Sequence, residues 1–335
     1  MPTPNSASLS ELVAPIMGAT SIVALCHVNP DGDAVGSLLG LGCVLEVLPG
    51  DRTIVLACQD RVPESLFFVP GVPRIVNALP EGFKPDLVIS LDASDPARLG
   101  KIFSDLAFTP APLIVIDHHI TNLHFGSLNH VAPEAASTSQ LVISLADALG
   151  VALPREAATP LLVGLVTDTL GFRTSNVTAT ELAAAVRLIE AGANLADISQ
   201  RALATRPVKH MRLWGMAFQR ARLDGYVLWA EVTKEMREAA GIFDEDDGGL
   251  VGQLINAAEA RIAVVFNELL DGQVEVDFRA RPGYDVAVVA LSLGGGGHPQ
   301  ASGCTLPGSM ADGQARVLPL VQAASLASPQ GPRDT

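Results

Sequence analysis

The first half of the chain is punctuated by short runs of apolar, often β-branched residues that stop abruptly at acidic or imidazole side chains. Residues 21–26 (SIVALC), 53–57 (TIVLA), 87–91 (LVISL) and 113–116 (LIVI) show the pattern. A strand with one wet face alternates apolar and polar positions, whereas one covered on both faces of a parallel sheet reads as a nearly unbroken apolar run. These segments are predicted to be strands of the second kind. Leu38, Leu41 and Leu45 recur at helical spacing and predict a helix over residues 34–47, with Asp33 as its cap. Further helices are predicted over residues 137–149, opened by a Ser-Thr-Ser cap, and over 156–166. Thr178 with Glu181 three positions on makes a capping box that opens a helix to about residue 191. Alternating strands and helices predict a doubly wound, mainly parallel-sheet α/β domain over residues 1–190.

The pattern changes after that. Residues 191–215 carry polar helical turns and Pro207, and are expected to form a helical linker. Residues 225–232, 261–268 and 273–279 predict strands, the last two joined by an Asp271-Gly272 hairpin turn. Residues 250–258 and 286–293 predict helices. A smaller mixed α/β domain over 216–327 follows, with a cleft expected between the two domains and a disordered tail over 328–335.

Composition narrows the class. A length of 335 residues accommodates two ordinary domains, and 48% hydrophobic with 17% charged residues describes a globular chain. Lysine plus arginine number 22 against 36 acidic residues, a net charge of −14. Such a surface disfavours long duplex nucleic acid, which is held through many cationic contacts to phosphate. Cys26, Cys43, Cys58 and Cys304 lack Cys-x-x-Cys spacing, so buried reduced thiols are expected. No basic n-region and no apolar run of membrane-spanning length is present, and a cytoplasmic protein with no membrane partner is expected.

Chemistry concentrates where the predicted strands end. His27, Asp31 and Asp33 follow the first, Asp92 follows LVISL, and Asp117-His118-His119 closes LIVIDHH. Ligands of open α/β sheets bind outside the carboxyl ends of the strands, so these clusters should converge. Taken singly, the first could be a turn with a helix cap and Asp92 a turn residue. Adjacent imidazoles behind a carboxylate seldom serve packing alone. Asp168, at the end of an apolar helical stretch, needs a metal or a basic partner. The set supplies oxygens and imidazoles for two metals sharing a carboxylate, about 3.5–4 Å apart, the arrangement that generates a hydroxide nucleophile and stabilises a departing phosphate oxygen. Mixed oxygen and imidazole donors suit manganese, with magnesium, cobalt or zinc as competitors. In the second domain Gly294-Gly295-Gly296-Gly297-His298, near Arg279 and Arg281, offers backbone amides and charge to a phosphate, and Arg173 is a further candidate contact. Asp244–Asp247, His124, His130, Arg206, Lys209 and Arg212 read as solvated loop or helix-face residues.

Asp117-His118-His119, preceded by HVNPDGD and followed by GLVTDT and GGGGH, resembles the DHH phosphoesterase family with an appended DHHA1 domain, in its nanoRNase/pAp phosphatase branch. The resemblance spans about residues 10–327. It implies one metal held by His27, Asp31 and Asp92, and a second by Asp33, Asp92, His118 and Asp168, with Asp92 bridging. It also implies that His119 contacts the scissile phosphate or assists proton transfer, that Asp117 orients the imidazoles, and that the second domain grips the far end of the substrate. Ala280 stands where the family has serine and Gly252 where it has asparagine, so the grip on base and sugar departs from the family pattern. The implied activity is manganese-dependent hydrolysis of short oligoribonucleotides to mononucleotides and of the nucleotide bisphosphate pAp to AMP, by a homodimer. The alternatives are a linear or cyclic dinucleotide phosphodiesterase and an inactive nucleotide-binding sensor.

Overall fold

Residues 6–106 and 109–326 are described by the structure, a computed structural model. The expected tail over 328–335 lies outside the described residues. The chain divides into two units, Met1–Thr205 and Arg206–Thr335.

The first unit runs α1 (Leu9–Gly18), β1 (Ser21–Leu25), α2 (Gly32–Glu46), β2 (Thr53–Ala57), β3 (Ile75–Val76), β4 (Leu87–Leu91) and α3 (Gly100–Leu106). It continues with β5 (Leu113–Asp117), β6 (Leu128–Val131), α4 (Thr138–Ala148), α5 (Arg155–Asp168), α6 (Ala179–Glu190) and α7 (Leu195–Ser199). Its strands pair in the order β3-β2-β1-β4-β5-β6, all parallel. The chain therefore winds outward from β1 to β3, then returns to β4 and winds the other way. The reversal between β1 and β4 is the switch point at which such sheets open a crevice. Successive residues of β1 point to opposite faces. Ile22 and Ala24 pack with α1, α2, α4 and α5, whereas Val23 and Leu25 pack with Leu99, Ile102 and Leu106. Burial on both faces is why the strand sequences are apolar throughout.

Two helices on one face come unusually close. Gly36 of α2 faces Pro160 and Gly164 of α5, and a Cβ at Gly36 would collide with the Pro160 carbonyl. Only glycine allows this backbone approach. The helix expected over 34–47 starts at Gly32, and its cap is Asp31 rather than Asp33: Asp31 Oδ1 accepts the amides of Asp33 and Ala34 at 3.1 and 3.0 Å. Asp33 is thereby released from capping and sits, fully buried, in the first turn.

The second unit runs α8 (Val208–Arg220), β7 (Arg222–Asp224), β8 (Val227–Val232), α9 (Lys234–Ala240), α10 (Leu250–Leu254) and β9 (Ile262–Glu268). It ends with β10 (Val274–Ala280), α11 (Ala287–Ser292), β11 (Gly296–His298), β12 (Ala301–Leu306) and α12 (Met310–Leu326). Its sheet has the order β11-β12-β10-β9-β8-β7 and is mixed, with only β8 and β9 parallel. The strand expected over 225–232 forms as β8, and a short strand not expected, β7, precedes it in a hairpin that Gly225 turns at φ +62°. The helix expected to reach residue 258 stops at Leu254, where Ile255 caps it. No helix among the described residues is long and apolar enough to cross a membrane.

Candidate metal centre

The loops beyond β1, β4 and β5 deliver the polar cluster. Asp92 follows β4 with φ +56°, a left-handed conformation that aspartate tolerates better than most residues, and its amide donates to the Ile116 carbonyl at 3.1 Å. Its carboxylate is buried and central. Asp92 Oδ2 lies 3.7 Å from His27 Nε2, which is also 3.7 Å from Asp31 Oδ1. Asp92 Oδ1 lies 3.6 Å from both His118 Nε2 and His119 Nδ1. His118 Nε2 is 3.2 Å from Asp168 Oδ2, at the last residue of α5. Three overlapping groups result among the described residues: His27, Asp31 and Asp92; Asp33, His118 and Asp168; Asp92, His118 and His119. Within each, the ligand atoms lie within 4.8 Å of one another.

A surrounding set of hydrogen bonds fixes each ring and carboxylate. His27 Nδ1 meets the Val28 carbonyl at 2.7 Å and His118 Nδ1 meets that of Ala135 at 3.3 Å. Each ring thus donates through Nδ1 and turns Nε2 inward, the tautomer in which a histidine ligates. His119 instead directs Nδ1 to Asp117 Oδ1 at 2.7 Å, and Asp117 Oδ2 accepts from Asn122 at 2.6 Å. Asp33 accepts the amides of Thr138 at 2.5 Å and Ser139 at 2.9 Å, buried N–H groups at the start of α4 that have no partner within the helix. Thr138 Oγ1 donates to Asp92 Oδ1 at 2.9 Å. Gly164 of α5 lies against Asp33 and Ser139, and a Cβ there would overlap both.

Thr138, Ser139, Asn122 and Gly164 were not legible as site residues in the sequence. The Ser-Thr-Ser run signalled only a helix start, and nothing local joins it to Asp33 across more than a hundred residues. Arg98 is a further case. Its carbonyl accepts the Val28 amide at 2.7 Å, and its charge opposes protonation of His27.

The electrostatics describe a surplus of negative charge. Burial, then the charge of Asp92, pushes Asp33 up to about 7. Burial, then Asp31, pushes Asp92 up to about 6, and burial with Asp33 pushes Asp168 up to about 7. Burial opposes protonation of His27, yet the Asp31 hydrogen bond and the charge of Asp92 raise it to about 9. His118 is likewise raised, against burial, by Asp168. Carboxylates crowded until they resist ionising, with imidazoles drawn toward the cationic form, constitute a site that a divalent cation would neutralise. The donors are hard oxygens and imidazoles, so the residues fit a metal.

The sequence profile described as "DHH family, N-terminal domain" matches residues 21–165, and the DHHA1 domain profile matches residues 227–323. The chain is 37% identical over 313 residues to the bifunctional oligoribonuclease and PAP phosphatase NrnA of Thermus thermophilus, covering 92% of this chain and 91% of that protein. It is 30% identical to the protein of the same name from Bacillus subtilis, covering 89% and 93% of the two chains. The chain belongs to the DHH family of phosphoesterases. The crystal structure of an exopolyphosphatase-related protein from Bacteroides fragilis has the same fold, with a TM-score of 0.87 at 24% identity over 95% of this chain and 96% of that one.

The other nominated residues of this DHH protein take distinct positions. Arg173 is exposed and donates through Nε to the Leu170 carbonyl at 2.7 Å. Arg279, on β10, and Arg281 just beyond it are half-buried and donate to the carbonyls of Phe278 at 3.0 Å and Ala257 at 2.8 Å. Gly296, Gly297 and His298 are not a free loop: they form β11, in register with Gly303, Ser302 and Ala301. Gly295 and Gly297 face backbone atoms of β12 so closely that no side chain fits, whereas the space at Gly296 is open. His124 and His130 are half-buried, and His130 Nδ1 meets the Ala7 carbonyl at 2.8 Å. Arg206 donates to the Gly248 carbonyl, while Lys209 and Arg212 lie on α8. Asp247 Oδ1 accepts the amides of Gly249 and Leu250 just before and at the start of α10.

Proposed function

We propose that this chain hydrolyses short oligoribonucleotides to mononucleotides and removes the 3′-phosphate of pAp, with two Mn2+ as cofactors. One observation carries the reading: the group His27–Asp31–Asp92 and the group Asp33–His118–Asp168 are joined through Asp92, whose two oxygens face imidazoles of both. Its substrate class is supported by the names of the relatives from Thermus thermophilus and Bacillus subtilis.

In this reading His27, Asp31 and Asp92 hold one ion and Asp33, Asp92, His118 and Asp168 the other. When bound, the metals supply Lewis acidity toward phosphoryl oxygens and make nearby water more acidic. The chain's residues do the rest. The start of α4 aims Asp33 through two amide hydrogen bonds, and Thr138 holds Asp92 in place. Asp117 fixes His119 through Nδ1, so Nε2 is the nitrogen that exchanges a proton with the reacting phosphate. The segment over residues 216–327 serves as the substrate-binding domain, with Arg279, Arg281, Gly296 and His298 contacting the nucleotide, and Arg173 contacts a phosphate from the catalytic domain.

The deciding experiment is a time course of end-labelled di- to pentaribonucleotides, and separately of pAp, resolved by product with and without manganese. Manganese-dependent release of mononucleotides and AMP is the expected result. Turnover of cyclic or linear dinucleotides alone, or tight binding without turnover, would replace this reading.

A further inference from the structure

We propose that Cys26 and Cys58 form an oxidation site, closed to a disulfide by a small hydroperoxide, that disables the adjacent metal centre. All four cysteines are free and buried. Cys43 lies on α2 and Cys304 on β12, but Cys26 and Cys58 are neighbours. The parallel pair β1 and β2 is in register through Leu25 and Ala57, and the two cysteines stand one step beyond. Neighbouring strands run about 4.8 Å apart, and disulfides span Cα separations of about 4.4–6.8 Å. The two side chains are each only 1% exposed. Cys26 directly precedes His27, and the Cys58 thiol donates to the His27 carbonyl at 3.3 Å.

A cavity of about 400 Å³ is lined by Gln59, Asn77, Leu79, Lys101 and Ile102. Gln59 follows Cys58 in the chain, and the Asn77 side chain donates to the Cys58 carbonyl at 3.0 Å.

The chemistry balances with hydrogen peroxide as oxidant. One thiol sulfur attacks the peroxide, an S–O bond forms as the O–O bond breaks, and water leaves. The second thiol sulfur attacks the resulting sulfenic sulfur, the S–S bond forms, and the hydroxyl departs as a second water. Two thiols lose two electrons and two protons in total, and peroxide is reduced. The disulfide removes the donor to the buried His27 carbonyl and reorients the two side chains beneath it, shifting His27 relative to Asp31 and Asp92.

The test treats the full-length, manganese-loaded chain with hydrogen peroxide, followed by non-reducing peptide mapping, thiol titration and bound-metal analysis. The expected results are a linked Cys26–Cys58 peptide lighter by two hydrogens, a thiol titre falling from four to two, and metal affinity reduced about 10- to 100-fold. Dithiothreitol should restore it. Cys58→Ser, whose hydroxyl can still donate to His27, should keep its metal under the same treatment, and Cys26→Ser provides the same check from the other partner. Metal loss without the linked peptide, or equal loss in both serine variants, overturns the proposal. Mapping and metal analysis need no substrate, so they stand apart from any failure of the nuclease reading.

Discussion

The two six-stranded sheets carry their polar chemistry in different places. In the parallel sheet His27, Asp92 and the Asp117–His119 segment stand at or beyond the strand ends, and the interiors of β1, β4 and β5 are apolar except for Ser90. In the mixed sheet Glu275, Asp277 and Arg279 alternate along β10 itself, between Val274, Val276, Phe278 and Ala280 of the core. Strand-end chemistry collects charge from many loops while leaving the core untouched. Chemistry on a strand face takes the charges into partial burial. Burial, then Glu275 and Asp247, push Asp277 up to about 7, and burial weakens the hold of Arg279 on its proton. The first arrangement concentrates like charge at one point, which suits cations. The second spreads charges of both signs along one face of an interior strand.

Substitutions can break this contrast, and the largest effect is expected at the shared carboxylate. Asp92→Asn keeps an oxygen for Thr138 but loses the charge linking the two groups; turnover should fall by more than about 100-fold. Metal content per chain should fall with it, and a variant that retains full metal and activity would remove Asp92 from the centre. Asn122→Ala deprives Asp117 Oδ2 of its side-chain donor and loosens His119. A decrease of about 10- to 100-fold in kcat is expected, with KM little altered, as read from initial rates. Gly164→Ala would force α5 away from Asp33 and Ser139, at a cost of about 1–3 kcal/mol in stability, measured by urea unfolding. The smallest effect belongs to the mixed sheet. Asp277 binds its proton more tightly folded than unfolded, so its contribution is full below its ordinary value of 3.8 and is lost as pH rises toward about 7. Asp277→Asn should flatten that decline. Both tryptophans, Trp214 and Trp229, lie in the second unit, so fluorescence-detected unfolding between these pH values reports it directly.

Contrast also explains what the sequence could reveal. Unbroken apolar runs made β1, β2, β4 and β5 legible, and the motifs after them nominated the residues that the loops bring together. β12 escaped notice because ASGCTL is built from small and polar residues, and its role follows from pairing with β10 and β11 rather than from its own hydropathy. The glycine run was visible, but its reason was not: Gly295 and Gly297 answer to backbone proximity in β12, which no local pattern encodes. Asp33 was misassigned as a cap because its actual donors, the amides of Thr138 and Ser139, belong to a distant helix.

The seam between α2 and α5 gives the centre a gauge. Asp33 rides at the start of one helix and Asp168 at the end of the other, and between Gly36 and Gly164 the main chains touch with no side chain interposed. Rotamer adjustment cannot alter a spacing set in this way; only sliding or parting the helices can. Tolerance for ions of different radius is therefore inherited from helix geometry, and a single methyl group inserted in that seam reaches the cage without touching any donor atom.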